Sequence, residues 1–132
     1  MPNQAEMVLR ILVAAVLGAA VGYQRERAGK AAGLRTNTII CVGAALFTLT
    51  GAVGFAGGDP SRVGAGIVTG IGFLGAGAIL HRHGEIVAGL TTAATIWVVS
   101  AVGLAVGTGQ YLLACVSTAV VLAVLVLPHP IR

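Results

Sequence analysis

The sequence predicts an all-α membrane protein of five transmembrane helices, arranged as two helical hairpins of one kind plus a fifth helix. Three observations carry this. Hydrophobic residues make up 57% of the chain and charged residues only 9%, where soluble domains carry about 25% charged residues. The apolar residues fall into five runs, each near the roughly 17–25 residues that a bilayer crossing needs. Finally, Ala-Gly-Leu-Arg-Thr at Ala32–Thr36 returns as Ala-Gly-Leu-Thr-Thr at Ala88–Thr92, and each copy ends a charged stretch and opens an apolar one.

The first span is Met7–Tyr23. Its leader, Met1–Glu6, has no positive charge, whereas the n-region of a cleaved signal peptide is basic, so the span is expected to remain uncleaved. Gly18 and Gly22 give it a GxxxG surface, over which helix backbones approach closely. The following segment, Gln24–Thr36, holds Arg25, Arg27, Lys30 and Arg35. The second span is Thr38–Phe55. The connection Ala56–Arg62 contains Gly57-Gly58-Asp59-Pro60-Ser61, a strong turn signal in which Asp59 or Ser61 would cap the next helix.

The third span, Val63–Leu80, carries six glycines: Gly64, Gly66, Gly70, Gly72, Gly75 and Gly77. Gly66, Gly70 and Gly77 fall on one helical face, and Gly64, Gly72 and Gly75 broadly on the other. This helix is therefore expected at the centre of the bundle, packed on two sides, with the alternative of a break lining a site or a homodimer seam. A turn with His81, Arg82, His83 and Glu85 follows; a wet interfacial loop is a better reading of it than a metal site, because three ligands within five residues leave the geometry open. The fourth span, Leu90–Val106, places Trp97 too deep for an interfacial belt, so it is expected in the core. Gly103 and Gly107 offer another GxxxG surface. A tight turn, Gly107–Gln110, leads to the fifth span, Tyr111–Leu127. Cys41 and Cys115 lie inside spans and read as small packing residues.

Six of the eight basic residues share one side, with Arg10 and Arg62 towards the other. The positive-inside rule makes the six-residue side cytoplasmic, with the N-terminus outside and the C-terminus inside. The net charge of +4 thus follows the bilayer and does not indicate a nucleic-acid binder. Sliding the chain by 56 positions aligns Met7–Gly51 with Val63–Gly107 without a gap, which suggests parallel repeats about the membrane normal. Residues 1–132 then form one transmembrane domain.

Five runs occur in order: Gly18-x-x-x-Gly22-Tyr23-Gln24-Arg25-Glu26, Ala32–Thr36, Asp59-Pro60-Ser61-Arg62, Gly70-Ile71-Gly72-Phe73-Leu74-Gly75-Ala76-Gly77 and Gly89–Trp97. Together they resemble the MgtC/SapB family of bacterial inner-membrane proteins. The resemblance implies a regulatory role in adaptation to low magnesium and in the survival of pathogens inside macrophages, with contact to the F-type ATP synthase in some members. Others are labelled magnesium-transport accessory proteins. Longer members continue into a soluble cytoplasmic domain, and this chain stops at Arg132, as a short member or as the membrane part of a longer one.

Arg25, Glu26, Arg35, Thr36 and Asn37 form an interfacial polar motif, in which Arg35 is the expected partner of Glu26 because Arg25 and Arg27 point about 100° away along the helix. The alternative is a solvated charge cluster that only sets topology. Asn37 and Thr38 begin the second helix, and Thr91, Thr92 and Thr95 the fourth. The two Gly-Leu-x-Thr starts are expected to face each other, with any small-molecule or ion site between them near Gly70, Gly72, Gly75 and Gly77. No Walker loop and no Ser-His-Asp set can be placed, and none of the four acids lies inside a span. Neither an enzyme nor a cofactor is expected. Magnesium is held through oxygens, with carboxylates prominent, which makes a direct transporter or channel the runner-up to a regulator acting by contact with membrane partners.

Overall fold

A computed structural model describes residues 2–80 and 89–127. Among them are five helices: α1 (Gln4–Arg27), α2 (Leu34–Val53), α3 (Pro60–Leu80), α4 (Leu90–Gly107) and α5 (Tyr111–Leu125). The first four are long and apolar enough to cross a membrane, whereas α5 has 15 residues, or roughly 22 Å at 1.5 Å per residue. The turn of His81, His83 and Glu85 and the tail from Pro128 lie outside the described residues.

Local chemistry sets the boundaries. The Asn3 side chain accepts the Glu6 N–H at 2.7 Å and starts α1. At the other end Gly29 takes φ +72°, Lys30 N–H reaches Arg25 O and Gly29 N–H reaches Glu26 O, the paired bonds of a Schellman stop. The same pair closes α4, from Gln110 to Ala105 O and from Gly109 to Val106 O, with Gly109 at φ +84°. Asp59 Oδ1 accepts from Ser61 N–H at 3.0 Å and from Ser61 Oγ at 2.8 Å, so Asp59 caps α3 with Pro60 at its first position. These two bonds, the hydroxyl's first, hold the Asp59 carboxyl below its usual range.

The tight seams run along α2. An ideal Cβ on Gly18 would lie 2.7 Å from Cys41 Cβ, and one on Gly22 would lie 2.6 Å from Leu34 Cα. Further along α2, Gly103 of α4 meets Cys41 O and Ala44 Cβ, and Gly107 meets Thr48. Ala14, Val21, Cys41, Ala45, Val99, Val102, Val106 and Ala114 form the core, from α1, α2, α4 and α5. Large apolar side chains face outward, among them Ile39, Phe47, Phe73 and Leu112, as expected where lipid is as good a solvent for them as the interior.

The central helix is therefore α4, not α3. Half of α4's apolar window is buried but only 11% of α3's. Gly66, Gly70, Gly72 and Gly77 have nothing within 4 Å of an added Cβ; Gly75 packs, with Ala93 Cβ at 3.6 Å, and Gly64 meets Leu104 Cδ1 at 3.9 Å. Glycines permit close approach but do not choose the partner; the two GxxxG pairs on α1 and α4 secured α2. Trp97 is likewise 59% exposed and not in the core, because the inner positions of α4 are taken by residues small enough for the seam.

Opposite the basic turn, three side chains tie α1 to the α4–α5 corner. Arg10 Nε donates to Glu6 Oε2 at 3.0 Å, Arg10 Nη1 to Gly107 O at 2.9 Å, and Tyr111 OH to Glu6 Oε2 at 2.6 Å. Tyr111→Phe is expected to lower stability by about 1 kcal/mol, read as a lower midpoint in detergent unfolding, while Leu112→Ala on the outer face of α5 should change it less.

Candidate functional site at the basic end of the bundle

The last turn of α1 carries Arg25 inward. Its Gly18-x-x-x-Gly22 face is pressed against α2, and Arg25, three residues beyond Gly22, continues that face under the start of α4. It is only 3% exposed. Its Nη2 donates to Ala31 O at 2.9 Å and makes a short bond to Thr92 Oγ1. Three segments thus meet at one guanidinium: the end of α1, the connecting turn and the start of α4. A planar fork of donors suits that task better than the point charge of a lysine.

Asn37 is the second anchor, fully buried in the first turn of α2. Its Nδ2 donates to Ala32 O at 2.7 Å and Gly33 O at 3.0 Å. Ala32 has φ +56°, a left-handed conformation that costs a non-glycine residue of order 1–3 kcal/mol, and the Asn37 amide holds it there. Asn37→Ala frees that turn and leaves Ala32 O without its donor, while Gly33 O keeps the Asn37 N–H, so a loss of about 1–3 kcal/mol is expected. Detergent unfolding checks it, together with faster hydrogen exchange at Ala31–Leu34.

Glu26 is exposed and does not pair with Arg35. Its Oε1 accepts the Leu34 N–H at 3.0 Å, replacing the side-chain cap that Gly33 cannot supply. The free N–H groups and positive end of a helix attract a carboxylate, and Glu26 reaches them first. Arg27 lies over the Tyr23 ring at 5.7 Å and donates to its hydroxyl at 2.9 Å. Lys30, Arg35 and Thr36 are exposed.

The sequence motif is thus divided. Buried Arg25 joins the turn to Thr92 and buried Asn37 holds the turn at Ala32 and Gly33, while Glu26, Arg35 and Thr36 are exposed. Thr36 and Thr92, matched in sequence, differ in burial. Thr91 and Trp97 line a separate groove of about 540 Å³ between α4 and α5. Gly70 lines a cleft between α2 and α3, and Gly72, Gly75 and Gly77 line neither. Among the described residues, neither of these spaces joins the two helix starts to the α3 glycines. What sequence reasoning missed is the partnership of Arg25 with Thr92, for which spacing gives no signal, and the Glu6–Arg10–Tyr111 tie, of which only the i,i+4 pair was legible.

No solved structure matches the chain. Among known proteins, it is 46% identical to the putative magnesium transporter YhiD of Escherichia coli K12, over 95% of this chain and 61% of that protein. Identity is 45% to protein MgtC of Brucella abortus, over 88% and 48% respectively, and 42% to the uncharacterized protein slr0014 of Synechocystis, over 96% and 53%. The chain thus spans about half to three-fifths of these relatives. The MgtC family model matches residues 11–132. With that match running through the α1–α2 seam, the Arg25 lock and the glycine-rich α3, the chain belongs to the MgtC family.

Proposed function

We propose that the protein is a non-enzymatic regulator of adaptation to magnesium limitation that acts by contact between its basic end and another membrane protein, the F-type ATP synthase being the first candidate. The observation that carries this reading is the division of labour at that end. Buried Arg25 and Asn37 fix the α1–α2 turn, and Arg27 and Lys30 stand exposed on it, a charged surface held in one shape. The protein sits in the bacterial inner membrane with this end cytoplasmic, the N-terminus outside and the C-terminus inside, as the distribution of basic residues favours.

Crosslinking and affinity capture from native membranes during magnesium starvation tests the proposal. The chain is expected to recover an ATP synthase subunit, and Arg27→Glu with Lys30→Glu to lose it while remaining folded. Recovery of no specific membrane protein would overturn it. The description of YhiD as a putative magnesium transporter favours a second reading, direct transport. Among the described residues, the carboxylates Glu6, Glu26 and Asp59 stand at helix ends, so a route between the helices would rest on hydroxyls and carbonyls. Magnesium movement into liposomes holding only the purified protein would establish transport instead.

A further inference from the structure

A cleft of about 570 Å³ runs between α2 and α3, lined on α2 by Ile39, Gly43 and Phe47 and on α3 by Gly66, Gly70 and Leu74. One end is closed where Val63 fills against Gly51, with an added Cβ only 2.6 Å from Val63 Cγ2. From there it runs towards the basic end. Gly43, Gly66 and Gly70 have nothing within 4 Å of an added Cβ, so backbone is bare at these three positions beside the buried Ala44 and Ile71, and Ile39, Phe47 and Leu74 form exposed walls.

We infer that this cleft holds the acyl chain of one anionic phospholipid from the leaflet on the basic side, with its phosphate at Arg35. The alignment is set by α2: Arg35, Ile39, Gly43 and Phe47 are four residues apart and share one face. From Arg35 to Phe47 the helix rises about 18 Å, close to one leaflet of a hydrocarbon core about 30 Å thick. A transmembrane helix of a partner would have to run the full thickness, past the Val63–Gly51 closure. Charge selects the headgroup. Arg35 is exposed, the first turn of α2 has no acid, and Glu26 is engaged with Leu34 N–H. Basic sites beside transmembrane helices attract anionic headgroups. The inference also accounts for how little of α3 is covered by protein: lipid completes its packing.

The test is native mass spectrometry of the purified chain, exchanged into nanodiscs of phosphatidylcholine with or without phosphatidylglycerol. One phosphatidylglycerol is expected to stay bound per chain and to raise the thermal midpoint, with phosphatidylcholine doing neither. Arg35→Gln should lower that preference about fivefold, from the roughly 1 kcal/mol that one basic residue contributes at an anionic surface. Gly70→Leu and Gly43→Leu put side chains into the cleft from positions where an added Cβ meets nothing within 4 Å. Each should release the lipid while the chain keeps its helical circular dichroism. Equal retention of both lipids, retention by both leucine variants, or a lipid-free dimer that these variants convert to monomer would overturn the inference, the last by giving the cleft to a second copy. None of these readouts depends on capture of a protein partner, so the two proposals fail separately.

Discussion

Gly103→Leu is expected to abolish the folded bundle, with Gly22→Leu close behind. A Cβ on Gly103 would run into Cys41 O and lie 2.8 Å from Ala44 Cβ, and one on Gly22 would lie 2.6 Å from Leu34 Cα and 2.7 Å from Gly33 O. These obstacles are mostly backbone and cannot rotate aside, so even alanine forces the helices apart. Overpacking costs about 1–3 kcal/mol where neighbours can relax; here the whole α2–α4 or α1–α2 seam must open. Since native stability is only about 5–15 kcal/mol, the leucine variants should be lost to degradation or recovered as aggregates. Gly72→Leu and Gly77→Leu are the controls. Both sit in the glycine-rich helix yet meet nothing within 4 Å, and should express at wild-type levels with an unchanged unfolding midpoint. Size-exclusion yield and detergent unfolding measure both arms. Sensitivity on both faces of α3 would restore it to the centre of the bundle.

Arg25→Met is expected to cost about 2–3 kcal/mol, in the range for hydrogen bonds to a charged group. Methionine keeps most of the apolar stem, so the loss reports the guanidinium and not its volume. It leaves Ala31 O and Thr92 Oγ1 without the donor that joined them, and the start of α4 is no longer tied to α1. Thr92→Val should cost less, and the double variant less than the sum of the two, with a coupling of about 0.5–3 kcal/mol for groups in contact. Additive losses would show that Thr92 and Arg25 act separately. Partner capture should fall in Arg25→Met even though Arg25 is buried, because the exposed Arg27 and Lys30 ride on the turn it holds.

The sequence by itself determined the membrane class, the helices and which surfaces could pack closely. Bilayer thickness translates directly into run length, and backbone polar groups in lipid leave helices as the solution. Gly18-Gly22 and Gly103-Gly107 were legible as close-packing faces, and Asp59 as a cap, because each depends on residues adjacent in sequence or one turn apart. Tertiary structure alone decided which glycines meet a neighbour. In a bilayer, no hydrophobic difference drives one apolar face inward, so the six glycines of α3 and the indole of Trp97 carry no mark of inside or outside. The same holds for the polar motif. Arg25, Glu26 and Arg35 read alike as interfacial charges, yet one is buried on Thr92, 67 positions away, one caps α2 and one is exposed. Pairing between helices depends on how they are rotated about their axes, and that rotation is set by backbone contact at Gly18, Gly22, Gly103 and Gly107, not by the charges themselves.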